Sequence, residues 1–268
     1  MDIIVIIGFA AAVLIGVSLG LIGGGGSILT VPVLVYILGV DPVLATAYSL
    51  FVVGATSLVG AGNYMKNGLV NYKTAAVFAI PSFIAVFLTR KYLVPALPDP
   101  LFTVGEAVIS KNIGIMVFFA LIMLSASYSM IRKKKCVDCD EEQEVKFNFP
   151  MIALEGSVVG VVTGIVGAGG GFLIIPALVI LAKLPMKMAV GTSLLIIAAK
   201  SLIGFLGDVT TQIIDWQMLL IFTSLSIVGI FIGSALSKKI NESALKTGFG
   251  WFVLVMGIYI IAKELMNV

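Results

Sequence analysis

Lys200 stands inside the apolar run Met186 to Gly207, about thirteen residues from its start and seven from its end. A lysine so far inside such a run costs a few kcal/mol unless it faces a partner or a polar space. Ser193, Lys200, Gly204 and Gly207 fall in a stripe about 60° wide on a helical wheel, and Asp208 widens it to about 100°. A first stripe at the same spacing holds Ser49, Thr56, Gly60 and Asn63. Hydroxyls and one ammonium on a helix face are suited to holding a small anion by charge-assisted hydrogen bonds, with no metal or other cofactor. Three roles stay open for Lys200: contact with substrate or a counter-ion, pairing with Asp208, or snorkelling to an interface.

The glycine runs point the same way, because they occur twice. Gly20-Leu21-Ile22-Gly23-Gly24-Gly25-Gly26-Ser27 leads to Pro32, and Gly164-Ile165-Val166-Gly167-Ala168-Gly169-Gly170-Gly171-Phe172 leads to Pro176, 144 residues later. The offset persists through Ala45 and Ala189, Ser49 and Ser193, Ser57 and Ser201, and Gly60 and Gly204. Each interior glycine costs a helix about 1 kcal/mol relative to alanine. A run of them before an apolar segment therefore breaks the helix and exposes N–H groups at a new helix start, which favours anions. Gly24, Gly25, Gly26, Ser27, Gly169, Gly170, Gly171 and Phe172 are accordingly binding candidates, with Ser49, Thr56, Ser193 and Lys200. Gly16, Gly20 and Gly24, and likewise Gly156, Gly160 and Gly164, have the four-residue spacing of close helix packing.

The elements that must carry these residues are set by composition. Of 268 residues 60% are hydrophobic and 12% charged, with a mean hydropathy of +1.16; a soluble domain has about twice that charged share. The chain reads as a polytopic all-α membrane protein in contact with the lipid bilayer. A net charge of +3 in short clusters excludes nucleic acid as a partner, and the lack of histidine excludes imidazole catalysis, imidazole metal sites and histidine relays. Cys136 and Cys139 form a Cys-x-x-Cys in a charged loop, read as solvated thiols. No positive segment precedes the first apolar run, so no cleavable signal is expected.

Ile3 to Ile22, Val43 to Met65, Tyr72 to Leu88 and Asn112 to Ile131 are spans, with the short segment Ser27 to Gly39 between the first two and a loop from Arg90 to Lys111. Met151 to Val166, Met186 to Gly207, Trp216 to Leu236 and Thr247 to Leu265 repeat the spans, and Phe172 to Leu184 the short segment. Pro81 marks a kink or a packing notch; Tyr72 and Trp216, after Asn71 and Asp215, read as interfacial anchors. The expected organisation is a first repeat 1–131, a cytoplasmic linker 132–149 and a second repeat 150–268.

Parity and charge decide whether the repeats are inverted. With Arg132 to Lys135 cytoplasmic, the inverted arrangement puts twelve lysines and arginines inside and four outside (Arg90, Lys91, Lys111, Lys263); the parallel arrangement splits them evenly. Cytoplasmic loops are enriched in both residues, so the inverted arrangement is expected, with both termini outside. Each repeat then has four spanning helices and a half-helix after its glycine break, and the two breaks point at one midplane site, as in secondary transporters.

The chain resembles the sulfite exporter TauE/SafE family of bacterial and archaeal membrane proteins. The resemblance rests on the doubled glycine motif ending in Pro32 and Pro176, the Ser49 and Ser193 segments, Gly68-Leu69-Val70-Asn71-Tyr72 and Ile213-Ile214-Asp215-Trp216. It covers nearly the whole chain and implies transport, across the cell membrane, of sulfite or small organosulfonates; Asn71-Tyr72 departs from the more usual Asp-Trp. The expected partners are a small anionic solute and a coupling proton or cation, with Asp208 and Glu155 as the candidate carriers, although Glu155, near the membrane edge of its span, reads first as a group solvated at the interface; the oligomeric state stays open. The alternatives are an anion channel, an intramembrane enzyme, which the chain poorly supports, and a structural scaffold.

Overall fold

The computed structural model describes residues 3–104, 107–131, 149–167, 169–171, 174–175, 178, 184–237 and 242–266. Helix α1 (Ile3–Ile22) leads to the short α2 (Ser27–Ile37), then α3 (Pro42–Lys66) and α4 (Tyr72–Ala96). Strands β1 (Phe102–Val104) and β2 (Ala107–Ile109) precede α5 (Lys111–Ile131). There follow α6 (Phe149–Val166), α7 (Met186–Leu206), α8 (Trp216–Ser237) and α9 (Glu242–Leu265). Among the described residues α3, α4, α5, α7 and α8 are long and apolar enough to cross a membrane. Outer helices carry exposed apolar side chains, among them Leu14, Ile84, Leu154, Phe231 and Val255. A surface of that kind suits lipid. The linker with Cys136 and Cys139, and most of the second short segment from Phe172 to Leu184, lie outside the described residues.

Helix ends follow local chemistry. Asp41 caps α3, its Oδ1 accepting from Val43 N at 2.9 Å, with Pro42 at the first helical position. Asn71 Oδ1 accepts from Thr74 N, and Asp215 Oδ1 from Met218 N, both at 3.0 Å. Asn and Asp cap equally well, which explains why Asn71 can stand in the place of an aspartate. Tyr72 is exposed at its helix end, whereas Trp216, half exposed, packs edge-on against Phe51 and Phe205. Gly39 (φ 67°) ends α2 and lets Val40 N reach Leu34 O at 2.9 Å; Leu184 N reaches Leu178 O at 3.1 Å at the matching position.

The loop expected from Arg90 to Lys111 is only partly a loop. Helix α4 continues through a wide turn at Thr89–Leu93 to Ala96, and a two-stranded antiparallel hairpin pairs Phe102 with Ile109. The all-α expectation therefore omits one small hairpin. No helix breaker stands between Leu88 and Pro95, so the helix runs on and Arg90, expected outside, becomes fully buried.

Packing is reciprocal between the halves. Gly16 and Gly20 of α1 meet the α8 backbone at Ser226 and Ile230; Gly156, Gly160 and Gly164 of α6 meet α4 at Phe78, Ser82 and Thr89. Both pairs are parallel, since residue numbers climb together, and the small-residue reading holds at these five glycines. Pro81 lies beside Gly156, as a packing notch. At the centre α3 and α7 run antiparallel: Gly54 meets Leu202, Gly60 meets Leu194, and Tyr64 meets Gly191. These two are the most enclosed spans, 72% and 67% buried against 33–39% for α4, α5 and α8. Their ends are tied alike, with Thr192 Oγ1 accepting from Asn71 N (3.0 Å) and Tyr48 Oη from Asp215 N (2.6 Å).

Candidate functional site

The two glycine breaks meet. Gly23 carries the first, with φ 74°, and Gly24, Gly25 and Gly26 wind at once into a 3-10 turn that runs through Ser27 to Leu29. The expectation of broken backbone throughout that run is thus corrected: three consecutive glycines tighten into a 3-10 turn, and one residue makes the break. In the second copy Gly167 (φ 72°), Gly169 (63°) and Gly170 (65°) are all left-handed. Helix resumes at Gly171, with Ile174 N on Gly170 O at 3.1 Å. A Cβ placed on Gly169 would lie 3.4 Å from the Ser27 Cβ.

The polar stripes border this meeting point. The same Cβ on Gly169 would touch Val53 of α3 and Ile197 of α7. Ser49, Val53 and Thr56 stand at i, i+4 and i+7, as do Ser193, Ile197 and Lys200, so each stripe lies on the helix face turned to Gly169. Ser49 Oγ and Thr56 Oγ1 are buried with no hydrogen-bond partner among the described residues. Ser193 Oγ instead donates to Val190 O of its own helix at 2.8 Å. Phe172 lies outside the described residues.

Lys200 is 1% exposed, which excludes snorkelling. Its Nζ donates to Thr163 Oγ1 at 3.2 Å, and a Cβ built on Gly170 would lie 2.7 Å from that nitrogen. Thr163 Oγ1 is oriented by its own donation to Val159 O at 2.7 Å. An ammonium has three donors, and among the described residues Lys200 uses one and forms no ion pair. Glycine at 170 is required twice over: its φ is left-handed, and any side chain would strike Thr163 and Lys200.

Asp208 is not the partner of Lys200. Its Oδ2 accepts from Arg90 Nε at 2.6 Å, and both side chains are buried. Arg90 Nη1 also donates to Thr46 Oγ1 (2.9 Å) and Gly164 O (3.3 Å). An arginine fork satisfied by carboxylate, hydroxyl and carbonyl is the form in which a guanidinium tolerates burial. Sequence reasoning missed Arg90; the available signal was an aspartate closing a span with no cation one turn away on its own helix. Glu155, the other carboxylate of interest, is half-buried on α6, twelve residues before Gly167 or about 18 Å along the helix, so the fold does not bring it to the breaks.

The apolar helices of this bundle, with the family and relatives that follow, make the chain a multi-pass membrane transporter. The family model for Sulfite exporter TauE/SafE matches residues 8–260, and the chain belongs to that family. Its relatives are named accordingly. A probable membrane transporter protein of Xylella fastidiosa (strain 9a5c) is 29% identical over 94% of this chain and 92% of its own length. The probable membrane transporter protein YunE of Bacillus subtilis (strain 168) is 27% identical over 97% and 99%. MJ0441 of Methanocaldococcus jannaschii, with the same description, is 31% identical over 44% and 46%. These are names of transporters, not enzymes. No solved structure matches the chain.

Proposed function

We propose that the chain is a secondary transporter of a small sulfur-containing anion, sulfite or an organosulfonate, held midway through the bilayer where the two breaks meet. The anion's oxygens accept from Lys200, from the Ser49 and Thr56 hydroxyls and from N–H groups of the helix starts at Gly24 to Ser27 and Gly169 to Gly171. The observation that carries this reading is the Lys200 ammonium, 1% exposed, beside Gly170 and with no carboxylate on it among the described residues. A buried ammonium is costly without a counter-charge, and a transported anion supplies one.

The halves 1–131 and 150–268 are inverted repeats joined by a cytoplasmic linker, in the cell (inner) membrane with both termini outside. Antiparallel crossing of the equivalent helices α3 and α7 supports this, because a two-fold that reverses two membrane-spanning helices lies in the membrane plane. With Arg90 buried, three basic residues are left outside, which strengthens the charge asymmetry. Alternating access follows as one repeat rocks against the other about the site.

Binding of sulfite, an alkyl sulfonate and a carboxylate control to purified protein is the test. Sulfite or the sulfonate binds, and Lys200→Met weakens binding roughly thirtyfold or more while the protein stays folded. Equal affinity in the variant removes Lys200 from the site, and silence toward every anion removes the transport reading.

A further inference from the structure

The charge balance around the second break narrows the substrate of the proposed site. Among the described residues four charged side chains are buried: Arg90, Lys200, Asp208 and Glu264. Glu264 belongs elsewhere. It accepts from Tyr36 Oη at 2.7 Å, nine residues and about 14 Å along α2 from Ser27, and Lys263 lies over that ring. The other three surround the end of α6. Lys200 bonds the Thr163 side chain and Arg90 the carbonyl of the next residue, Gly164, so the two cations share one helical turn. Asp208 engages Arg90 through Nε. With Lys200 protonated, two cations and one carboxylate leave a net charge of +1, and it resides on Lys200.

We infer that the site takes singly charged oxyanions, hydrogen sulfite or a sulfonate with an uncharged tail, and rejects dianions. Asp208 is then a specificity-determining residue that acts through Arg90, by cancelling a second positive charge. This rests on the anion site proposed above. A monoanion neutralises Lys200 and leaves the enclosed cluster uncharged. A dianion of the same shape brings one charge that no cationic side chain among the described residues balances, in surroundings where such a charge is expensive.

Methanesulfonate and sulfate separate the cases, since both present tetrahedral sulfur and at least three oxygens but differ by one charge. Their affinities for the purified full-length protein are compared in wild type, Asp208→Asn and Lys200→Met. Wild type favours methanesulfonate roughly tenfold or more, and Asp208→Asn, which exposes the Arg90 charge to the ligand, shrinks or reverses that ratio. Sulfate bound as well as methanesulfonate by wild type overturns the inference, as does an unchanged ratio in a folded Asp208→Asn protein. Should that variant fail to fold, the wild-type ratio decides alone. Lys200→Met separates the two claims: loss of both anions upholds the site even where the charge preference fails, and unchanged binding brings down the site itself.

Discussion

The two glycine breaks open alike in backbone and differ in chemistry. Gly23 and Gly167, 144 residues apart, share a left-handed φ of 74° and 72° and abut equivalent residues, Val190 and Thr46. Around the second break stand Lys200, Thr163, Arg90 and Asp208; the residues 144 positions from them are Thr56, Leu19, Ser234 and Tyr64, none of them charged. Repetition built the frame, and departures from it put every buried charge near the breaks, among the described residues, on one side. A two-fold frame needs only matching small residues and caps. A single buried cation needs the symmetry broken, since a second lysine at position 56 would double the burial cost and repel the first.

The comparison can be broken most forcefully at the ion pair. Arg90→Met strands the Asp208 carboxylate in the bundle and should destabilise the protein by about 3–5 kcal/mol. Adding Asp208→Asn should recover much of the loss, which thermal unfolding in detergent of the single and double variants measures. The frame itself is tested by alanine at its two matched glycines. Each substitution incurs roughly 1–2 kcal/mol for a left-handed backbone. At Gly167 the new methyl also meets Thr46 backbone atoms, which cannot give way, whereas at Gly23 it meets the ends of Val190 and Ile175 side chains, which can. Gly167→Ala should therefore melt well below Gly23→Ala, and equal melting would deny the difference between the two surroundings. Smallest are the caps: Asn71→Ala and Asp215→Ala should each cost about 1 kcal/mol. Equal losses would extend the frame's likeness to its ends, and unequal ones would confine it to the breaks.

Legibility in the sequence differed between parts for physical reasons. The doubled motif, the small-residue stripes and the buried lysine could be read directly, because helix breaking and four-residue packing are local properties and a charge in a long apolar run has few places to go. Arg90 could not, because a basic residue followed by prolines looks the same whether the helix stops at Leu88 or winds two turns further. The 3-10 winding of Gly24 to Gly26 was hidden as well. Glycine permits left-handed and tight right-handed backbone about equally, and packing against neighbours chooses. Ser193 matched Ser49 in type and spacing, yet its hydroxyl turned to its own helix, a rotamer choice that spacing does not constrain.

Sequence alone determined that this chain is an apolar helical protein carrying one glycine motif twice, 144 residues apart, with one lysine set among apolar residues. Those properties depend on residue types a few positions apart. Tertiary structure decided that Ser27 meets Gly169, that Thr163 holds Lys200, and that Arg90 takes Asp208 and leaves the lysine without a carboxylate among the described residues. Each of those contacts joins residues at least 37 positions apart, and only tertiary packing, with α4 against both α6 and α7, brings such residues together.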